Sequence, residues 1–554
     1  MAVKTINAQM FKDMVIASAN ALEHNKQTIN DLNVFPVPDG DTGTNMFMTV
    51  ASAVREVSAV ESEKVGPFAK AMGTGALKGA RGNSGVITSQ LFRGYSKAIS
   101  PDTVEITTQD FIKAIDLGVK SAYKAVMKPK EGTILTVARA MAEEANKYIE
   151  EDIDFETLID NVINAAEVML QKTPDMLPVL KEAGVVDSGG AGLITIYNGF
   201  RRAIKGEQII DELDLAKPAK KEENIPAAAR EDISTADIKF QYCTEFFITD
   251  MKKPVDEKLL DQVREKLLKI GDSLVVVGDT QLIKIHVHTN DPDKALRVAL
   301  DLGQLTRVKI ENMRDQHSSI VEPEEPAKEP ELGPKKDIGI VVVSSGEGLD
   351  AIFKDYNADQ IVSGGQSMNP STDDIYKAVE KVNADNIIIL PNNKNIIMSA
   401  EQVNDLTEKN IYVVPTRSFP QGLSALLTFS DTVSVDENIE NMKEAISTVK
   451  SGSLTTAIRD SKIGDIEVSE GEYIGINEGD IVSHSFDMNE AVMDLLDKMT
   501  DTDVDSIISL YYGENVTKEK AEEIGSLIEE KYEDFDIEIL PGGQPVYDFI
   551  LSVE

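Results

Sequence analysis

Apolar residues in the first 205 or so positions recur with the period of an amphipathic helix. The segments Phe11–Leu22 and Phe155–Met169 both place apolar side chains three and four positions apart. Glycine-rich stretches separate the helical segments, above all Gly73–Gly85 and Gly184–Gly192. The pattern predicts an all-α helical bundle over residues 1–205, with functional loops at one end.

The pattern then changes twice. A stretch rich in lysine, glutamate, alanine and proline predicts a linker over 206–237. Alternating strand-like and helix-like segments between Phe240 and Met313 follow the order β-α-β-β-α-β. This order predicts a small α+β middle domain over 238–320, and a second proline- and glutamate-rich linker over 321–336.

Beyond residue 337, short apolar runs alternate with helical patterns, which is typical of parallel strands in an α/β layer. A segment richer in β-type residues, 453–484, precedes further strands. We predict one C-terminal α/β domain with two lobes over 337–554. Two of its loops, 363–371 and 391–395, follow predicted strands at the edge where such sheets bind ligands.

Composition limits the possible partners. The chain has 554 residues, a formal net charge of −39 and a single cysteine. A strongly acidic surface repels nucleic acid and anionic membranes, and one cysteine excludes an internal disulfide. No run of about 18 apolar residues predicts a membrane span. We therefore expect a soluble cytosolic protein.

The segment Asn33–Asn45 places two carboxylates, Asp39 and Asp41, inside a loop rich in proline and glycine. Adjacent carboxylates repel each other unless a cation lies between them, and Mg²⁺ with nucleotide phosphates is the common solution. The alternative is an Asx-type turn with solvated acids. The following hydroxyl and amide residues, Thr42, Thr44 and Asn45, lead into a helical run and favour the phosphate interpretation.

Three further glycine-rich loops also open helical runs. Gly82–Gly85 contains Ser84, which could hydrogen-bond a phosphate oxygen or simply cap the helix. The other two contain Thr133 and Asp187. Neither a Walker A sequence nor a dinucleotide-binding fingerprint is present. Arg81 could stabilise transferring charge or be an exposed structural arginine.

Taken together, these motifs resemble those of a known protein family. Asn33 to Met46, with Gly82–Gly85, Gly132–Thr133 and Asp187–Gly190, is similar to the ATP-binding domain of the dihydroxyacetone kinase family, of the DhaL type. The arrangement in three parts resembles the nucleotide-binding component of bacterial fatty acid kinases. The resemblance implies a helical barrel of eight helices that binds ATP with two Mg²⁺ ions at its loop end.

The resemblance also implies roles for individual residues. Asp39 and Asp41 would be the metal ligands and catalytic carboxylates. Asn33 stands near the place where sugar-kinase relatives have a third aspartate, and we expect it to be a weaker, neutral ligand. The phosphates and nucleotide would be contacted by Thr42, Gly43, Thr44, Asn45, Gly82, Asn83, Ser84, Gly85, Thr133 and Asp187.

The middle domain carries ligand types that suit zinc. His286 and His288 lie two positions apart in a predicted strand, Cys243 lies in a neighbouring strand, and His317 or Glu245 could complete the set. The alternative is a polar strand face with a buried thiol. A zinc ion here could be structural or lie near the acceptor.

The resemblance implies that the chain phosphorylates the carboxylate of a fatty acid presented by an acyl-binding partner of the DegV type. It likens the C-terminal domain to the same type, as a docking and dimerising module, so Gln366, Asn369 and Ser371 are interpreted as structural loop residues. The alternatives are a kinase for dihydroxyacetone or another small ketose, and a nucleotide-binding scaffold without activity. A homodimer is the default expectation.

Overall fold

The computed structural model describes residues 2–33, 40–126, 128–213, 242–249, 251–253, 257–278, 283–312, 335–365, 369–463 and 466–554. The chain forms two compact units. One joins Met1–Pro218 with Leu332–Glu554, and the other is Ala219–Glu331. Most residues of the two predicted linkers lie outside the described ranges.

The amino-terminal part is helical, as predicted, apart from one pair of two-residue strands. Its eight long helices pack in a closed ring, each against the next in sequence and the last against the first. They are α1 (Ala8–Asp31), α2 (Thr42–Ser58), α3 (Val65–Gly79), α4 (Gly82–Ala98), α5 (Thr108–Ala125), α6 (Ile134–Asn146), α7 (Phe155–Leu170) and, after the short helices α8 (Thr173–Met176) and α9 (Pro178–Ala183), α10 (Ser188–Ile204). The short strands β1 (Thr5–Ile6) and β2 (Ile106–Thr107) pair beside the ring.

The apolar faces of these helices meet in one core. Phe11, Tyr95, Phe111 and Phe155 are almost completely buried. Phe111 meets Tyr95 and Phe155 edge-on, with ring centroids 5.7 and 5.5 Å apart, the arrangement that aromatic quadrupoles favour. The helical periodicity of the sequence therefore reflects burial toward the inside of the ring.

The middle unit has the predicted order of elements. Strands β3 (Tyr242–Thr249), β4 (Gly271–Gly278), β5 (Ile283–Thr289) and β6 (Gln304–Asn312) alternate with helices α11 (Glu257–Leu267) and α12 (Pro292–Leu300). The sheet is antiparallel, in the order β4-β5-β3-β6. Its register pairs Cys243 with His288 and Glu245 with His286. His317 lies outside the described residues.

The C-terminal part is α/β with two sheets, which agrees with the predicted two lobes. Four parallel strands form the first sheet, in the order β10-β9-β7-β8. They are β7 (Lys336–Ser344), β8 (Gln360–Ser363), β9 (Ala384–Leu390) and β10 (Asn410–Val413). The helices in and after this layer are α13 (Glu347–Asp355), α14 (Thr372–Glu380), α15 (Ile397–Glu401), α16 (Phe419–Leu427) and α17 (Val435–Thr448).

The second lobe contains a mixed sheet of six strands, in the order β15-β14-β11-β18-β16-β17. Its strands, with the separate hairpin β12–β13, are β11 (Lys450–Thr456), β12 (Ser461–Ile463), β13 (Ile466–Val468), β14 (Tyr473–Asn477), β15 (Asp480–Ser485), β16 (Ile507–Tyr512), β17 (Asp536–Pro541) and β18 (Phe549–Val553). Helices α18 (Met488–Met499) and α19 (Lys518–Lys531) pack on it. No helix among the described residues is long and apolar enough to cross a membrane.

Candidate functional site

A cavity of about 1130 Å³ lies between the loop end of the helical ring and the C-terminal part. This volume slightly exceeds the range of about 300–1,000 Å³ typical of small-molecule sites. Seven of the residues singled out in the sequence line the helical side, namely Asn33, Asp41, Thr42, Asn45, Asn83, Ser84 and Asp187. The structure therefore gathers at one place motifs that are up to 154 positions apart, from Asn33 to Asp187.

Four helices begin at this cavity. Helix α2 starts at Thr42, α4 at Gly82, α6 at Ile134 and α10 at Ser188, and each contributes a lining residue from its first turn. Helix amino termini carry partial positive charge and N–H groups without intrahelical partners. Their convergence makes one end of the ring suited to an anion such as phosphate.

The first turn of α2 is held by a residue that the sequence analysis missed. Asn30, near the end of α1, accepts hydrogen bonds from the N–H groups of Gly43 and Thr44 at 2.8 and 3.2 Å. Its amide group also donates to the Thr44 hydroxyl at 3.1 Å. Gly43 and Thr44 are predicted from the sequence to face phosphate. In the structure their N–H groups bind Asn30 and hold the loop in place, whereas Thr42 lines the cavity.

Gly82 explains why this loop requires glycine. Its φ angle is +54°, and a Cβ atom built on it would lie 2.5 Å from the Asn45 side-chain nitrogen. Side chains rarely adopt such a φ, and no carbon fits at that distance. At Gly85, a Cβ atom would lie 2.5 Å from the Thr49 hydroxyl oxygen. The two glycines thus let α4 approach α2 closely, and Asn83 and Ser84 between them line the cavity.

Asp187 is both a helix cap and a cavity residue. Its carboxylate accepts a hydrogen bond from the Gly190 N–H at 2.7 Å, which caps α10. Although the side chain borders the cavity, burial raises the pKa of the Asp187 carboxyl to about 6, against the lowering effect of hydrogen bonds from the Gly190 and Ile134 backbone. Beside it, the Ser188 hydroxyl donates to the Thr42 hydroxyl at 3.3 Å.

Arg81 and Thr133, which were also predicted for the site, are not among the residues that line the cavity. The Arg81 guanidinium donates to the Asn369 carbonyl at 2.7 Å and lies 3.2 Å from the Asp374 carboxylate, so it faces the C-terminal part, and its predicted catalytic role stays a prediction. Thr133 precedes the lining residue Ile134, and its hydroxyl donates to the Lys130 carbonyl at 2.8 Å. Asp39 lies outside the described residues.

The C-terminal side of the cavity was not anticipated as part of the site. It includes residues 391–398 after β9, of which 391–395 were predicted to lie at a ligand-binding edge, and Arg417 after β10. Lys394, Arg417 and, from the helical part, Lys128 line the cavity without an ion-pair partner among the residues that the structure describes. The carboxylates Asp41, Asp187, Glu401 and Glu478 line the same cavity, and cations together with carboxylates suit an anionic ligand that binds with a metal ion.

The donor atoms fit Mg²⁺ with phosphate better than a soft metal. Asp41 is the N-cap residue of α2, but its side chain makes no capping bond. Asn33, Thr42 and Asn45 line the same cavity and offer amide and hydroxyl oxygens beside the Asp41 carboxylate, the hard ligands that Mg²⁺ prefers. No cysteine or histidine occurs among the described lining residues, and no three acidic, histidine or cysteine side chains of the described residues lie close enough together to hold a metal ion by themselves.

Comparison with known protein families divides the chain into three segments. Residues 36–202 match the DAK2 domain. Residues 239–320 match the middle domain of the FakA-like fatty acid kinase proteins, and residues 339–554 match the C-terminal domain of the same group. The DAK2 segment contains the cavity residues of the helical ring from Asp41 to Gly189, and the C-terminal segment contains the opposite wall.

The chain is 43% identical to Protein YloV of Bacillus subtilis and 41% identical to an uncharacterized protein of Staphylococcus epidermidis, each match covering 100% of both chains. Among solved structures, the fatty acid kinase B3 protein of Streptococcus pneumoniae loaded with linoleic acid is 14% identical, with a TM-score of 0.29, over 39% of this chain and 99% of that one. A DegV family protein from Corynebacterium glutamicum is 13% identical, with a TM-score of 0.31, over 39% and 96%. The family models and the full-length relatives show that the chain belongs to the FakA-like family of fatty acid kinase proteins.

Proposed function

We propose that this protein is the catalytic component of a fatty acid kinase, which uses ATP and Mg²⁺ to phosphorylate the carboxylate of a fatty acid presented by a separate acyl-binding protein of the DegV type. The observation that carries the proposal is the convergence of four helix amino termini and the Asp41 loop on one cavity. Membership of the family supplies the substrate class.

The chain's own residues would divide the work between the two reactants. Thr42, Ser84 and the first turns of α2, α4 and α10 would bind the phosphate oxygens. Asp41, with Asn33 as a neutral ligand and Asp39 from outside the described residues, would hold Mg²⁺. The metal, when bound, would neutralise charge on the phosphate oxygens.

The chemistry needs no general base. A fatty acid carboxylate is already ionised near pH 7, so one of its oxygens can attack the γ-phosphorus directly. A bond forms between that oxygen and the phosphorus, the bond from the phosphorus to the bridging oxygen of ADP breaks, and no proton is transferred. Positioning and charge neutralisation then supply most of the rate, and the amides, hydroxyls and cations in the cavity lining could provide both.

The test is a phosphoryl-transfer assay on the full chain with ATP and Mg²⁺. One reaction receives oleate and an acyl-binding partner of the DegV type, and the other receives dihydroxyacetone. We expect acyl phosphate and ADP in the first reaction only, and loss of both in Asp41→Ala. Turnover of dihydroxyacetone alone would identify a small-ketose kinase. ATP binding without turnover under either condition would identify a scaffold.

Three accompanying features belong to the proposal. The pairing of Cys243 with His288 and of Glu245 with His286 in the middle sheet supports a zinc site that His317 would complete. A homodimer follows from the usual symmetry of such chains. A cytoplasmic location accords with the single cysteine.

A further inference from the structure

One segment of the C-terminal part reaches directly into the helical side of the site. The Asn369 side-chain amide donates to the Asp41 carboxylate at 2.5 Å. Nearby, the Asn369 carbonyl accepts from the Arg81 guanidinium at 2.7 Å, and the Thr372 N–H donates to the Ala80 carbonyl at 3.1 Å. The segment therefore contacts the residue expected to hold the metal and the loop that opens α4.

Asn369 is more than a packing residue. The residue is 1% exposed, and its amide oxygen has no hydrogen-bond partner among the residues that the structure describes. A buried amide oxygen of this kind is rarely left without a partner. An amide oxygen can coordinate Mg²⁺ directly or accept a hydrogen bond from water bound to the ion. The amide group of Asn369 already donates a hydrogen bond to the Asp41 carboxylate. The position of Asn369 thus fits a metal site shared with Asp41.

The backbone that carries Asn369 is held firmly. Ser371 and Asp374 form a capping box at the start of α14, with the Ser371 hydroxyl 2.7 Å from the Asp374 carboxylate and the Asp374 N–H 3.1 Å from the Ser371 hydroxyl. Pro370 restricts the backbone between them and Asn369. Asp374 also pairs with Arg81 at 3.2 Å. A side chain fixed in this way can orient a neighbouring carboxylate.

We propose that Asn369 is a positioning residue for the metal site. It orients the Asp41 carboxylate through its amide N–H, so that the C-terminal part completes the site that begins in the helical ring. This inference rests on the proposed function, because it assumes that Asp41 holds Mg²⁺. Groups that orient metal ligands typically contribute about 10–100-fold in metal affinity or activity. Asn369 would then have a role beyond the structural one expected from the sequence.

The test compares the Mg²⁺ dependence of full-length variants. For Asn369→Ala we expect the Mg²⁺ concentration that gives half-maximal ATP binding, measured by calorimetry, to rise by about 10–100-fold, with ATP binding recovered at saturating Mg²⁺. The matched control is Asp405→Asn, which removes another ion pair between the same two parts, Arg93–Asp405 at 2.5 Å, away from the cavity lining. It should leave the Mg²⁺ dependence unchanged.

A second variant keeps the test valid if Asn369→Ala folds poorly. Asn369→Asp places a carboxylate against Asp41, and the two repel each other unless a cation lies between them. We expect a lower Tm without Mg²⁺ and a larger rise in Tm on adding Mg²⁺ than in the unaltered protein. A purely structural role would lower Tm equally with and without Mg²⁺, and that result would overturn the proposal.

Other outcomes are equally decisive. If Asn369→Ala retains the original Mg²⁺ dependence, or gains activity because the segment had blocked the site, Asn369 does not position the metal ligand. If Asp405→Asn raises the Mg²⁺ concentration for half-maximal ATP binding as much as Asn369→Ala does, the change comes from weaker packing of the C-terminal part on the helical ring in general. Asp41→Ala distinguishes failure of the proposed function from failure of this inference. If Asp41→Ala binds ATP with Mg²⁺ as tightly as the unaltered protein, the proposed function is contradicted. If Asp41→Ala loses ATP binding but Asn369→Ala has no effect, only the role of Asn369 is contradicted.

Discussion

Asp187 is the cavity residue for which protonation and folding are most clearly linked. Because its pKa is raised to about 6 in the folded protein from 3.8, the native state holds an extra proton between these two values. The carboxyl group therefore contributes stability at low pH that is lost as the pH rises through about 6. An asparagine at this position would still cap α10 but would not titrate.

We predict that Asp187→Asn removes this pH dependence. From pH 7.5 to pH 5.2, which is above the sequence pI of about 4.5, the unaltered protein should gain about 1 kcal/mol of unfolding free energy relative to the variant. Chemical denaturation at both pH values, followed through the transition of the helical part, measures the difference.

Asp154→Asn is the matched control, since Asp154 caps α7 in the same ring. Hydrogen bonding from the Thr157 backbone lowers the pKa of Asp154. Both the folded and the unfolded state therefore keep Asp154 ionised from pH 7.5 to pH 5.2, and the stability difference between the unaltered protein and Asp154→Asn should stay constant over this range. Parallel behaviour of the two variants would contradict the assignment of a raised pKa to Asp187.

Arg417 supplies a cation from the C-terminal wall. Its exposed side chain lines the cavity without an ion-pair partner in the described part of the chain. We predict that Arg417→Gln lowers kcat/KM for acyl phosphate formation by about 10–100-fold, the usual value of one charge-assisted hydrogen bond. Arg139→Gln, which removes an exposed pair with Glu131 on the helical ring, should leave the rate unchanged. Equal rates in both variants would exclude Arg417 from the site.

At the scale of elements, the start of α4 is the feature most sensitive to side-chain size. Gly82 and Gly184 both have positive φ, +54° and +67°, but a Cβ atom would meet Asn45 at the first and nothing within 4 Å at the second. We predict that Gly184→Ala costs about 1 kcal/mol of stability and keeps ATP affinity. Gly82→Ala should lose ATP affinity as well, because Asn45 and the α4 loop must shift.

Calorimetric titration of ATP with Mg²⁺, together with thermal unfolding, separates these two effects. If Gly82→Ala loses stability but binds ATP as tightly as Gly184→Ala, close packing at Gly82 serves only the fold. If both variants lose affinity, the strained backbone rather than the contact with Asn45 determines binding.

At the scale of the whole molecule, the middle unit is a separate compact body, and its chemistry can be tested in the intact chain. We predict about one zinc ion per chain in the purified protein, by elemental analysis, and its loss in Cys243→Ser. His24→Gln is the control, because His24 pairs with Glu212 in the other unit at 3.0 Å. Absence of zinc, or its retention in Cys243→Ser, would contradict the site.

The helical ring and the C-terminal part form one unit, and their contact places both walls of the cavity. Charged and polar contacts at this boundary include Arg93–Asp405 and Asn83–Asn395, at 2.5 and 3.0 Å. The Arg459 guanidinium also donates to the Asn33 and Asp31 carbonyls beside the predicted metal loop. Any motion between the two parts would therefore change the site itself.

The sequence by itself determined the local features of this protein. Helical periodicity, strand alternation and glycine-rich loops depend on neighbouring residues, so the all-α first part, the order of the middle unit and the two-lobed α/β part could all be predicted. The expectation of eight helices in a barrel came from the family resemblance. The same holds for the helical side of the site, because each loop carries its own motif and opens a helix. Asn30 was missed because a single asparagine near a helix end has no distinctive local signal.

Only the tertiary structure decided which residues from distant segments share the cavity. Asn369 lies 328 positions from Asp41, and neither it nor Arg417 belongs to a motif that indicates phosphate or metal. Their placement depends on how the C-terminal part packs on the ring, which is set by the shapes and charges of whole surfaces. No local pattern encodes that packing, and so the sequence predicted one half of the site and the fold supplied the other.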